Sequence, residues 1–300
     1  MYLFLTLTAG ILISLMAVLN GTLTAAVGLY LTTVVIHIVA ILFALLLLGI
    51  GKKSFVPKQK LPLWMYSGGF ISVLCTLCSN FAFGKISLIA ITALGLLAQT
   101  IASLLIDCFG LFGAGKRRIS PVTWVCIAFS FCGIVYMLYG SEMSVFPAVA
   151  ASFAAGVGLV VSRTISASLA EYSGAVGGSL INHAVGLPFA AVLLFVIGGS
   201  ELAALPDSLA AAPAWAYLGG IAGMLIIVIT NVVLRRISAF QVSLLLFVGQ
   251  VFSSAVIDFL MGADFSGRTF CGGVLIAAGI LSNTLLGKNF SGNEKASGNT

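Results

Sequence analysis

The sequence predicts an all-α integral membrane protein of ten transmembrane helices, arranged as two inverted five-helix repeats. Three observations predict it: an apolar composition, apolar runs of membrane-spanning length, and an internal repeat. Hydrophobic residues make up 60% of the 300 residues and charged residues 7%, with a mean hydropathy of +1.19. Soluble domains carry roughly 25% charged residues. A helix needs about 20 apolar residues to cross the hydrocarbon core, and barrel strands would be about half as long and alternate in polarity.

The spans read in order as 2–19, 29–50, 63–83, 86–106, 122–139, 145–161, 175–198, 215–234, 237–257 and 269–286. The first lacks a basic residue before its apolar run and is followed by uncharged LNGTLTAAVG, which reads as a retained helix and not a secretory signal. With the N-terminus in the cytoplasm, Lys52, Lys53, Lys58, Lys60, Lys116, Arg117, Arg118, Arg163, Arg235, Arg236, Lys288 and Lys295 fall inside, against Lys85 and Arg268 outside. This positive-inside bias puts both termini in the cytoplasm. Arg163 is expected at the inner end of span six, with its guanidinium snorkelling to the headgroups. The basic residues are scattered over short loops, so nucleic acid is excluded as a partner. The six cysteines (75, 78, 108, 126, 132 and 271) lie in or beside apolar spans. Cys75 and Cys78 form C-x2-C without a second pair, which reads as packing and neither a metal nor a redox site. The polar tail SGNEKASGNT is expected to be disordered.

The repeat is read from residues that recur at fixed displacements. Gln99, Ser103 and Asp107 return 151 positions later as Gln250, Ser254 and Asp258. The same displacement carries Trp64 to Trp215, Gly68-Gly69 to Gly219-Gly220, Asn80 to Asn231, and Lys85-Ile86-Ser87 to Arg236-Ile237-Ser238. Upstream it becomes 146, taking Gly28 to Gly174, His37 to His183 and Phe43 to Phe189. The units are residues 1–140 and 145–287, with 288–300 as the tail. Five spans per unit is an odd number, so the second unit enters the membrane inverted. That architecture is common in secondary transporters, which bind substrate at the repeat interface near the midplane; a static channel could use the same bundle.

An LNG first helix followed twice by W…GG…N…K/R-I-S…Q-x3-S-x3-D resembles the drug/metabolite transporter superfamily (EamA-like), in its YdcZ-like branch of inner-membrane exporters. The resemblance covers about 280 residues and both halves. It implies a bacterial inner-membrane permease for small molecules. Many members of that branch are single units of half this length that pair, and this chain resembles a fused form. The resemblance also implies a cavity between helices one, three and four and their mates six, eight and nine. Spans five and ten would brace the bundle or form a homodimer contact. The first-helix Asn20 has no counterpart in VSRTISASLA, so any role for it is not shared by the second half.

Gln99, Ser103 and Asp107 form one helical stripe about 12 Å long, with the aspartate at the cytoplasmic mouth; Gln250, Ser254 and Asp258 do the same toward the other face. The glutamines and serines have two readings, substrate contact or helix-to-helix bonding. The aspartates either serve proton coupling or end their helices. His37 and His183 lie within spans two and seven, as proton-coupling groups or as buried neutral rings. Trp64 and Trp215 are interfacial anchors or an aromatic cavity wall. Asn80 and Asn231 are caps or ligand contacts.

The expected partners are a small-molecule substrate and the lipid bilayer. No metal site and no cofactor is expected. HExxH, a nucleophile elbow and a P-loop are all missing from the sequence, which argues against an enzyme. A secondary exporter working by alternating access, with proton coupling as an option, is the leading expectation; a channel or lipid flippase is the alternative. With few deep charges, the cavity is expected to favour neutral, zwitterionic or aromatic solutes.

Overall fold

The computed structural model describes residues 1–51, 57, 59–113, 124, 128–129, 131–133, 135–136, 139, 143–237, 239–262, 267, 271–272, 274–275 and 278. The expected spans 122–139 and 269–286 lie largely outside the described residues. So do Cys126, the basic residues 116–118 and the tail.

Helix α1 (Tyr2–Val27) ends at Gly28, whose φ of 94° is open only to glycine at low cost. The chain turns directly into α2 (Leu29–Gly51). The Glu201 carboxylate accepts the Leu29 and Leu31 amides at 2.9 and 2.7 Å, capping the α2 N-terminus with a charge that suits the helix dipole. A 3-10 turn, Leu63–Tyr66, leads into α3 (Ser67–Ala82). Helix α4 (Leu88–Phe109) is capped by the Ser87 hydroxyl, which accepts the Ala90 amide, and ends on left-handed Gly110.

Helix α5 (Phe146–Val196) runs for 51 residues, with non-helical Gly174 inside it at φ 76°. At 1.5 Å per residue it would be about 76 Å long if straight, against a hydrocarbon core of about 30 Å. Gly174 divides it into two arms, 146–173 and 175–196. The expected mates Gly28 and Gly174 thus share a positive φ and an extended ψ, 168° and 163°. The first arm runs on to 173, well past the expected end at 161. Two short helices follow, α6 (Gly199–Ala203) and α7 (Leu205–Ala211). A turn at Ala214–Leu218 leads to α8 (Gly219–Val233), and α9 is Ala239–Leu260. Seven helices among the described residues are long and apolar enough to cross a membrane, counting α5 once.

Helices from the two sequence halves interleave. α1 packs chiefly on α8 and α9, and α5 on α3 and α4. Glycines make the closest approaches. A Cβ on Gly10 would collide with the Leu246 carbonyl oxygen, and one on Gly156 with the Gly95 carbonyl oxygen. These two contacts are related by the repeat displacements, 146 from Gly10 to Gly156 and 151 from Gly95 to Leu246. The pattern recurs where Gly69 meets the Asn182 carbonyl and Gly220 meets that of Ile36. Small residues let membrane helices gain dispersion contact where no hydrophobic gradient drives them together. Phe247 of α9 is buried in a cluster with Ala90, Leu94 and Leu97 of α4, which joins the halves at mid-bundle.

Candidate functional site

A cavity of about 100 Å³, partly open to the surroundings, lies between the interleaved helices. Phe83 and Leu88 line it at the α3–α4 turn, and Gln99 and Arg163 line it at mid-helix. From Leu88 to Gln99 the rise is about 16 Å. α1 contributes Ser14, Ala17 and Asn20; α3 contributes Cys75, Thr76 and Asn80; α9 contributes Gln250. Four expected site residues, Gln99, Gln250, Asn20 and Asn80, therefore meet in one cavity. α8 supplies none of its described lining.

The residue that sequence reasoning missed is Arg163. It is only 8% exposed and donates from Nη1 to Gln99 Oε1 at 2.8 Å. The expectation of a headgroup-facing guanidinium is thereby corrected. The helix continues to residue 173, leaving Arg163 about 15 Å from its end and at the level of Gln99. Among the described residues no acidic side chain lines the cavity. Several polar atoms nearby are buried without a described partner: Asn20 Oδ1, Asn80 Nδ2 and Gln250 Nε2.

A second, much smaller cleft of about 10 Å³, room for about one water molecule, lies at the α8–α9 turn, lined by Leu234, Ala239, Val242 and Ser243 with Val160, Arg163 and Thr164. Its walls are displaced mates of the larger cavity's walls. Phe83 corresponds to Leu234, Leu88 to Ala239 and Thr92 to Ser243, each by 151, and Ser14 to Val160 by 146. Arg163 lines both spaces.

The other expected residues fall outside the cavity lining. Ser254 joins three helices, its hydroxyl 2.9 Å from those of Ser14 and Thr92. Ser103 turns back onto the Thr100 carbonyl. Asn231 donates to the Ala175 carbonyl at 3.1 Å, beside the Gly174 break. Asp258 Oδ1 accepts the Leu88 amide at 3.3 Å, at the start of α4, and Asp107 is buried. Trp64 and Trp215 are 39% and 49% exposed, and Trp64 packs on Phe112. His37 and His183 come together edge to face, with ring centroids 5.1 Å apart. His37 Nδ1 bonds the Thr33 carbonyl; His37 Nε2 and both His183 nitrogens are buried without a described partner.

Apolar spanning helices around a mostly apolar cavity that holds a few polar groups define a multi-pass membrane protein. The family model described as "Putative inner membrane exporter, YdcZ" matches residues 1–136 and again 147–282. The chain belongs to this family of drug/metabolite-transporter exporters, and is accordingly a multi-pass inner-membrane protein of a transporter family, not an enzyme family. A search of curated proteins found no match. Among solved structures, one described only as "Crystal structure of protein" is similar in fold, with a TM-score of 0.63 and 19% identity over 96% of this chain and 98% of that one.

Proposed function

We propose that the protein is a secondary exporter that moves a small organic solute across the bacterial inner membrane by alternating access, between two inverted five-helix repeats with both termini cytoplasmic. One observation carries the reading: the two clefts have displaced-mate walls, lie at opposite ends of the bundle and meet at Arg163. Exchanging the conformations of the two halves would close the larger cleft and open the smaller. The paired glycine contacts support this, because they give both halves the same close-packed joints. The His37–His183 pair is the proposed proton-coupling element, its rings edge to face with three ring nitrogens that have no described partner. Asp107 and Asp258 are assigned to helix ends in this scheme. Spans five and ten brace the bundle or form a homodimer contact.

Counterflow in proteoliposomes tests the proposal, using a pooled metabolite extract with and without a pH gradient. Saturable exchange, lost on Gln250→Leu in a protein that still folds, is the expected result. Flux that rises linearly with solute concentration would mean a channel and overturn alternating access.

A further inference from the structure

The geometry points to a substrate with a single carboxylate, docked on the Arg163 guanidinium in the cavity described above. The inference rests on that cavity's being the transport site. Four observations carry it.

First, a guanidinium stays charged, and removing it from water without an opposite charge is costly. Within a membrane bundle, such a residue is by default functional. Second, Arg163 lines the cavity with no described acid in the lining beside it. Its one described hydrogen bond is to a neutral amide oxygen, that of Gln99. That bond fixes one arm of the fork and leaves the rest of its donors to meet a planar oxyanion, which a carboxylate can do bidentately. Third, Gln250, another lining residue, carries a buried Nε2 without a described partner. It would hydrogen-bond the polar part of the solute body. Fourth, Arg163 borders both clefts, so an anion bound there lies at the boundary between them.

The described lining offers no carboxylate to a substrate ammonium, which disfavours zwitterions. Simple monocarboxylates fit better than the neutral or zwitterionic solutes that the sequence alone suggested. Repeat symmetry does not supply this charge. The position 146 residues before Arg163 is Ala17, which also lines the cavity.

The test uses full-length protein in lipid nanodiscs and a panel of four- to ten-carbon monocarboxylates, aliphatic and aromatic, each paired with its primary amide. Inorganic phosphate is a separate arm. Binding is read by ligand-induced thermal stabilisation and then by titration of each hit. At least one acid is expected to bind about 30-fold or more tightly than its amide, and Arg163→Gln to abolish that difference. Gln99→Glu provides a second variant, which places a fixed carboxylate against the guanidinium. It is expected to fold and to lose acid binding, so the answer does not depend on Arg163→Gln folding. Amides equal to acids, an acid preference surviving both variants, phosphate alone binding, or no acid binding would each overturn the inference. Saturable counterflow of a neutral solute with no acid bound would refute this inference and leave the exporter reading standing. Arg163-dependent acid binding without saturable exchange would do the reverse.

Discussion

A methyl group added at Gly156 measures how tightly the halves are joined. The new Cβ would lie 2.7 Å from the Ala98 Cβ and 2.9 Å from the Gly95 carbonyl carbon, and closer still to the Gly95 oxygen. Carbon atoms rest at about 3.5–4.0 Å, so α4 and the 146–173 arm must part by about 0.8 Å. Displacements of that size forfeit roughly a quarter to a half of each affected contact, and overpacking of a tight joint costs about 1–3 kcal/mol. Gly156→Ala should therefore lower the unfolding midpoint in detergent by about 2–12 °C, at about 2–4 °C per kcal/mol. Gly10→Ala should act in the same direction, since its Cβ would fall 3.0 Å from the Gly249 Cα and against the Leu246 oxygen. Gly49 is the control, because a Cβ there meets nothing within 4 Å. Its replacement by Ala should raise the midpoint, through a gain in helix propensity of up to about 1 kcal/mol. Equal shifts for Gly156→Ala and Gly49→Ala would refute the reasoning, since it attributes the difference to the facing carbonyl and not to glycine as such.

Other predictions concern the turns and the histidines. Glu201→Ala removes both amide contacts at the start of α2 and should cost about 1 kcal/mol, read as a lower detergent midpoint. Asn231→Ala leaves the Ala175 carbonyl beside the helix break without its donor, costing about 1–3 kcal/mol, with faster hydrogen exchange expected around residues 174–178. His37→Asn and His183→Asn should each remove the pH-gradient dependence of counterflow while leaving solute binding intact. Unchanged gradient dependence in both would assign the pair to packing.

Hydropathy and spacing made much of this bundle legible. Gln99, Gln250, Asn20 and Asn80 stand out as polar groups in apolar runs, and all four line the cavity. The displacement pairing His37 with His183 marked two rings that touch. Arg163 escaped for two physical reasons. A hydropathy reading ends a span at its first charged residue, but the segment around it, SRTISAS, is shielded by protein and the helix continues to 173. A repeat search finds only what is duplicated, and Arg163 faces Ala17 across the pseudo-symmetry. Trp64 and Trp215 illustrate the converse: both are duplicated, and both are exposed at the edge of the bundle. Duplication here tracks architecture more closely than chemistry.

The unmatched arginine bears on why two half-length units are worth joining. A pair of identical units must carry every side chain twice. A guanidinium at this position would then face its own copy across a cavity with no described acid to separate them, and the like charges would repel. One chain with two diverged halves escapes that constraint, holding arginine at 163 and alanine at 17. Fusion thus makes odd stoichiometry attainable: one charge, one orientation for a bound anion, and a binding site with a head and a tail.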